Sequence, residues 1–220
     1  MASREHAAEA RRPVPRLYLV TPQVDRPAGI RDALAAALDV ADVAAVLLRL
    51  QPVDERAAIN HVKALAPVVQ DKGVALILDG LPDLVARAGA DGAHLTGIAA
   101  FNAALPALKP ARIAGCGGLT SRHDAMLAAE GGADYVLFGE PDTAGHRPSL
   151  QAVVERVAWW AEVFQVQCVG YAATLAEIKP LAEAGADFVA VGECIFADTR
   201  GPARAIAEAA QSLSPAEAVP

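Results

Sequence analysis

Along the chain, short and nearly unbroken apolar runs alternate with longer stretches of helical spacing. The apolar runs are RLYLV (16–20), VAAVLLRL (43–50), VALILD (74–79), GAHLT (92–96), ARIAGC (111–116), YVLFG (135–139), VQCVG (166–170) and FVAVG (188–192). Runs of this length without polar alternation suit strands covered on both faces, as in a parallel sheet. Between them, residues 54–72, 121–131, 150–164 and 174–185 are rich in Ala, Leu and Glu and repeat at helical intervals. Within 150–164, Val153, Val157, Trp160 and Phe164 mark a core-facing stripe. The stretch Thr174-Leu-Ala-Glu177 reads as a capping box that opens the last of these helices.

One phrase recurs: AGADGAHLTG (88–97), GGADYVLFGEP (131–141) and AGADFVAVGEC (184–194). In each, Gly stops a helix, Asp starts a turn and a buried strand follows. Eight strands alternating with helices in about 200 residues predict a (β/α)8 TIM barrel of minimal size. A doubly wound open sheet is the alternative. The expected layout is a lead-in over 1–15, the barrel over 16–213 and a tail over 214–220.

Composition narrows the class. With 54% hydrophobic residues and a formal net charge of -7, the chain can bury one sizeable core and is no general nucleic-acid binder. No apolar run approaches the ~18 residues of a membrane span. The first 16 residues, MASREHAAEARRPVPR, lack an apolar signal core and read as a frayed or weakly helical lead-in, with a transit peptide as the alternative; the expected location is the cytoplasm. Cys116, Cys168 and Cys194 show no C-x-x-C spacing and read as buried thiols of a reducing compartment.

In a barrel of this kind the chemistry sits at the C-terminal strand ends, with phosphate on the loops after strands seven and eight. Here those loops are VGYAATLAE (169–177) and GECIFADTRG (192–201). In order and spacing, RLYLVTP, GADGAHL, GADYVLFG and GADFVAVGECIF resemble motifs of the thiamine phosphate synthase family, including its thiazole tautomerase branch. The resemblance covers about 180 residues. It implies a barrel that joins an aminomethylpyrimidine diphosphate to a thiazole phosphate and releases pyrophosphate. Magnesium would assist the leaving group, and cationic side chains would stabilise the developing charge.

Position by position, the site departs from the family pattern. The family's Q-x-R-x-K stripe after strand two becomes Leu47, Arg49 and Gln51, and its Asn-Asp pair becomes Asp79 and Gly80. The acidic residue expected after GVHLGQ is missing from GAHLTGIAA. The G-V-S-x-H pattern becomes Gly115-Cys116-Gly117-Gly118-Leu119, with Thr120 and His123 close by. In GEPDTAGHRPS (139–149), Arg147 stands in for the family's diphosphate-gripping lysine. The Gly-Gly pair after strand seven becomes Gly170 and Tyr171, and the small serine after strand eight, beyond Gly192, becomes Glu193.

The expected catalytic set is therefore Arg49, Asp79 and His123, with Asp79 as a weak magnesium ligand. The expected ligand- and phosphate-binding set is Gly117, Arg147, Gly170, Tyr171, Gly192 and Glu193. A ring at 171 crowds a phosphate, and an ionised Glu193 about 4 Å from one would cost roughly 4 kcal/mol per charge pair. Each side chain also has a plainer reading. Arg49 pairs with Asp79, His94 is a satisfied core histidine, and Glu193 knits to Arg200 or Arg204. His146 and Arg147 either form a lid over an anion or lie in a solvated loop. Trp159 is a candidate homodimer contact.

Three functions remain open. The first is a thiamine phosphate synthase-like barrel with weak or lost activity, using Mg2+ if activity is retained. The second is a non-catalytic barrel that binds a small molecule related to thiamine precursors. The third is an altered enzyme in which His123 or Glu193 transfers a proton, as in a thiazole tautomerase.

Overall fold

A computed structural model describes residues 13–213. Residues 1–12, most of the expected lead-in, and the expected tail 214–220 lie outside the described residues. Eight parallel strands close into a barrel in chain order. They are β1 (Arg16–Val24), β2 (Val43–Leu50), β3 (Ala75–Asp79), β4 (Gly92–Thr96), β5 (Ile113–Gly117), β6 (Tyr135–Phe138), β7 (Gln167–Ala172) and β8 (Phe188–Val191). The helices around them are α1 (Arg31–Val40), α2 (Glu55–Gln70), α3 (Val85–Ala88), α4 (Ile98–Leu108), α5 (Arg122–Glu130), α6 (Leu150–Val163), α7 (Ile178–Glu183), α8 (Glu193–Phe196) and α9 (Pro202–Leu213).

The recurring Gly-Ala-Asp turns carry the strand-to-strand geometry at the N-terminal face. Gly89, Gly132 and Gly185 have φ of 78°, 96° and 96°, a left-handed conformation that lets the chain leave a helix sharply. The aspartate two residues later then caps the neighbouring strand. Asp91 accepts from the N–H of Leu76 at 2.7 Å, Asp134 from Ala114 at 2.7 Å and Asp187 from Cys168 at 2.8 Å. Each bond ties an even-numbered strand to the odd-numbered strand before it. The motif is therefore structural and lies at the end of the barrel opposite the mouth.

Two expectations at the β7 end need correction. Tyr171 lies inside β7, not in the loop after it, because the strand stays paired with β8 through Tyr171↔Ala190 and Ala172↔Val191. The capping box at Thr174 does not form, since the Thr174 side chain caps no N–H. Glu177 accepts instead from the N–H of Ala173 at 2.9 Å and from Arg147 Nη1 at 2.8 Å, a charge-assisted bond that outcompetes a neutral cap. A complete capping box occurs at α5, where Ser121 Oγ accepts from Asp124 N at 3.1 Å and Asp124 Oδ2 accepts from Ser121 N at 2.9 Å.

The core has two layers. Outward-facing strand residues pack under the helices together with Val153, Val157 and Trp160 of α6. Trp159 is half-buried against Trp160 and Phe164, with the Arg122 guanidinium 4.6 Å from its ring centroid, so its face is engaged within the chain. The inner layer consists of Tyr18, Val20, Ala45, Leu47, Ile77, Tyr135, Leu137, Val169 and Ala190.

Polar atoms inside that layer must satisfy one another. The Tyr18 and Tyr135 hydroxyls are 2.7 Å apart, and the Tyr135 hydroxyl is 3.0 Å from His94 Nδ1. His94, as expected, is a buried and hydrogen-bonded histidine, stacked on the Tyr135 ring at 5.7 Å. Gly115 makes the arrangement possible, because a Cβ there would stand well under 3.0 Å from the Tyr135 ring. Burial is the first cause that raises both phenols above their ordinary value of 10.0.

Two outcomes are expected. Gly115→Ala should displace Tyr135, break the buried chain and lower stability by about 3 kcal/mol in chemical denaturation. A loss below about 1 kcal/mol would show that the ring has room to move. In a spectrophotometric titration at pH 10, where a free phenol is half ionised, Tyr18 and Tyr135 should remain protonated in the native protein. The folded values are raised, so this contribution to stability is complete below the unfolded value of 10.0 and is lost as pH rises towards the folded values. Phenolate from Tyr18 and Tyr135 should therefore appear together with alkaline unfolding. Full ionisation of all three tyrosines in the folded state would contradict the buried chain.

Candidate functional site

The barrel mouth collects most of the expected side chains. Arg49 ends the inward face of β2, its N–H bonded to Thr21 Oγ1 at 3.0 Å. Its Nε is 3.6 Å from Asp79 Oδ2 at the end of β3, and both side chains remain partly exposed. A pair this long and this wet holds loosely, so either partner is available to a ligand. On the other side of the mouth, Tyr171 lies within electrostatic reach of Arg49, Arg147, Glu193 and Cys194. Burial, then the Cys194 thiol, raise its phenol, and the two arginines oppose that rise. The Arg147 guanidinium lies 5.9 Å from the Tyr171 ring centroid.

Arg147 is not a lid residue. Its side chain is mostly buried, bound to Glu177 at 2.8 and 3.2 Å and to the Tyr171 carbonyl at 3.5 Å. His146 faces solvent beside Asp142, 3.6 Å away, and Asp142 also accepts the N–H groups of Ala144 and His146. The two residues therefore diverge, because Asp142 organises the loop on one side and Glu177 draws the arginine inward on the other.

Gly170 faces outward, where a Cβ would meet Leu181 at 3.1 Å, so it lets α7 approach the sheet. Gly192 packs on the Val20 carbonyl, 3.0 Å from its Cβ position, and the Tyr171 hydroxyl is 3.7 Å from that same position. Tyr171 thus reaches across from β7 to the end of β8. Glu193, the first residue of α8, is exposed, so its carboxylate can turn to water and the expected repulsion towards a phosphate is screened. It does not knit to Arg200, which pairs with Asp198 at 2.7 Å and Glu208 at 2.9 Å. His123 is exposed in the first turn of α5.

Sequence reasoning missed Glu140, the second residue beyond β6. Its Oε1 accepts the N–H of Gly118 and faces His94 Nε2 at 3.9 Å. This extends the buried chain from Tyr18 through Tyr135 and His94 to the mouth. In the tautomer that accepts from Tyr135 at Nδ1, the imidazole proton on Nε2 would point towards the carboxylate, whereas the other tautomer would aim a lone pair at it. Gly117 is part of the same arrangement, since a Cβ there would fall well under 3.0 Å from Glu140 Oε1 and 2.6 Å from His94 Nε2. The signal was present in the sequence, because FGEP after β6 repeats the Gly-Glu step of VGEC after β8.

Among the described residues, the buried side-chain atoms without a hydrogen-bond partner are His61 Nδ1, Glu140 Oε2 and Arg147 Nε. Two of these lie on the segment that follows β6. Leaving a buried polar atom unpaired costs about 1–3 kcal/mol, more for a charged group. No cluster of three or more His, Cys, Asp or Glu placed to hold a metal occurs among the described residues. A cleft of ≈ 490 Å³ between the β2–α2 and β3–α3 loops reaches Asp79. A larger one of ≈ 990 Å³ lies under the opposite end, beside Asp187 and the described chain ends at Pro13 and Leu213. The polar constellation of the mouth, not cavity size, marks the candidate site. No helix among the described residues is long and apolar enough to cross a membrane.

Known proteins align with this architecture. The solved thiamine phosphate pyrophosphorylase from Pyrococcus furiosus superposes with a TM-score of 0.74 at 18% identity, over 90% of this chain and 95% of its own. A 3-hexulose-6-phosphate synthase from Salmonella typhimurium superposes with a TM-score of 0.70 at 17% identity, over 90% of this chain and 98% of its own. At such identities the likeness shows the fold alone. Sequence carries further. The thiamine-phosphate synthase of Rhodospirillum centenum is 40% identical over 201 residues, 88% of this chain and 95% of that protein. That of Hyphomonas neptunium is 34% identical over 203 residues, 89% of this chain and 92% of that protein. With residues 17–195 also matching the family described as thiamine monophosphate synthase, the chain belongs to that family.

Proposed function

We propose that this chain binds the substrates of the thiamine phosphate synthase reaction at the barrel mouth and couples them at a much reduced rate. The reaction would form a C–N bond from the thiazole ring nitrogen to the aminopyrimidine's methylene carbon. The C–O bond to the diphosphate would break, and pyrophosphate would depart with the electron pair. The observation that carries the reading is the Arg49–Asp79 pair, 3.6 Å apart and open to solvent at the ends of β2 and β3. Arg49 is placed to take charge from a leaving diphosphate, since a fixed cation beside a developing anion lowers the barrier. Magnesium, if carried in on the diphosphate, would use Asp79 as its protein carboxylate and supply charge neutralisation there. A site shared with substrate oxygens suits a mouth in which no three-residue ligand cluster occurs among the described residues.

The reduced rate follows from the surroundings of Arg49 and from the phosphate end. Leu47 faces the barrel interior as an apolar residue, and Gln51 is neutral, so Arg49 works without a second cation from β2. Arg147 is already committed to Glu177. Tyr171 leans over Gly192, and Glu193 opens α8 with a negative charge.

Steady-state assays with both substrates and magnesium should give a turnover below about 0.1 s⁻¹, against roughly 10 s⁻¹ for a median enzyme. A rate in the ordinary range would contradict the reading. Glu193→Ser should lower KM for the thiazole phosphate several-fold, a modest gain because an exposed carboxylate is screened. An unchanged KM would show that the Glu193 side chain stays clear of the phosphate.

A further inference from the structure

The unpaired oxygen of Glu140 points to an unassigned contact. One carboxylate oxygen is held by the Gly118 N–H and faces His94, while the other is buried and bonds to nothing among the described residues. The carboxylate sits at the strand end of the mouth, and its side chain is 19% exposed. Gly117 leaves the space for it, because any side chain at 117 would collide with Oε1 and with His94. A carboxylate held in this way, with one acceptor oxygen buried and without a partner among the described residues, lacks a hydrogen-bond donor that a bound ligand could bring.

Neighbouring polar groups turn elsewhere. His94 Nε2 faces the other oxygen, Oε1, at 3.9 Å, Arg147 is bound to Glu177, and the Tyr18 and Tyr135 hydroxyls are used in the interior chain. A ligand at the mouth can bring the missing donor. A phosphate cannot serve, since it brings acceptors and negative charge to a carboxylate. An N–H-bearing heterocycle can.

We infer that Glu140 is a specificity-determining contact that accepts a hydrogen bond from the exocyclic amine of an aminopyrimidine bound at the barrel mouth. The inference rests on the proposed reading for the identity of the heterocycle. Gly118 and Gly117 act as its positioning residues: the first fixes one carboxylate oxygen, and the second keeps the space open. The selectivity comes from the mismatch an analogue would create. A ring lacking the amine would leave the buried oxygen as unpaired as it is in the free protein.

The test compares binding of two phosphate-free probes by calorimetry, an aminopyrimidine with a hydroxymethyl arm and the same ring without the amino group. The wild-type protein should prefer the amino form by about tenfold or more. Glu140→Gln keeps the shape. Its amide oxygen must stay on the Gly118 N–H, so its NH2 would face the ligand amine, donor against donor, and the preference should vanish. Glu140→Asp keeps the charge but is one methylene too short to reach both partners, and it should lose the preference as well. Unchanged thermal unfolding of the Gln variant would show that the fold is intact. The inference is overturned if the wild type binds neither probe, if it binds both equally, or if either variant keeps the wild-type preference. Failure of the functional reading looks different, because it appears as absent turnover of the two phosphorylated substrates while the amino preference persists.

Discussion

The Tyr135 hydroxyl is the contact on which the barrel interior depends. A phenol buried at the centre of a closed barrel is tolerated where its oxygen meets hydrogen-bonding partners, and here it does so on two sides. Tyr18 supplies one from β1 and His94 the other from β4. Gly115 yields the space for the ring, and the orientation this imposes on His94 turns Nε2 towards the mouth. A structural solution deep in the core thereby sets the direction of a polar group at the site. It also explains why Gly117 carries no side chain, since the space above it belongs to His94 and Glu140.

Charge at the mouth follows a consistent pattern. Each of the two arginines near Tyr171 has a carboxylate partner, Asp79 for Arg49 and Glu177 for Arg147. The two pairs differ in commitment. The Arg147–Glu177 pair is close and mostly buried, and breaking one would leave an uncompensated charge. The Arg49–Asp79 pair is longer and wet, so an incoming anion can replace the carboxylate at little cost. Glu140 and Glu193 add negative charge without an arginine beside them in the ion-pair network of the described residues. The result is a mouth with one loosely paired arginine, one arginine held by a mostly buried carboxylate, and two glutamates with no arginine ion pair among the described residues.

Much of the fold was legible because burial on both faces leaves a plain trace. Continuous apolar runs located all eight strands, and the Gly-Ala-Asp phrase marked three helix-to-strand turns whose aspartates cap the neighbouring strands. A position at the mouth was legible where a motif residue fell at a strand end, as Arg49 and Asp79 do. What escaped depends on pairing and competition between distant residues. Tyr171 looked like a loop residue until register with Ala190 drew it into β7. Thr174 and Glu177 have capping-box spacing, but the glutamate had a charged partner thirty positions away in Arg147. Glu140 escaped because a Gly-Glu step after a strand acquires meaning only when Gly118 and His94 converge on it from other strands.

The central claim is that the mouth still holds a thiamine-related ligand, through Arg49, despite the altered phosphate end. Calorimetric titration of the intact protein with thiamine phosphate in the presence of magnesium, beside the Arg49→Ala variant, tests it most directly. The account expects micromolar binding by the wild type and at least about a tenfold loss in the variant, the scale of one charge-assisted hydrogen bond. No detectable heat at several temperatures, or equal binding by the two proteins, would contradict it.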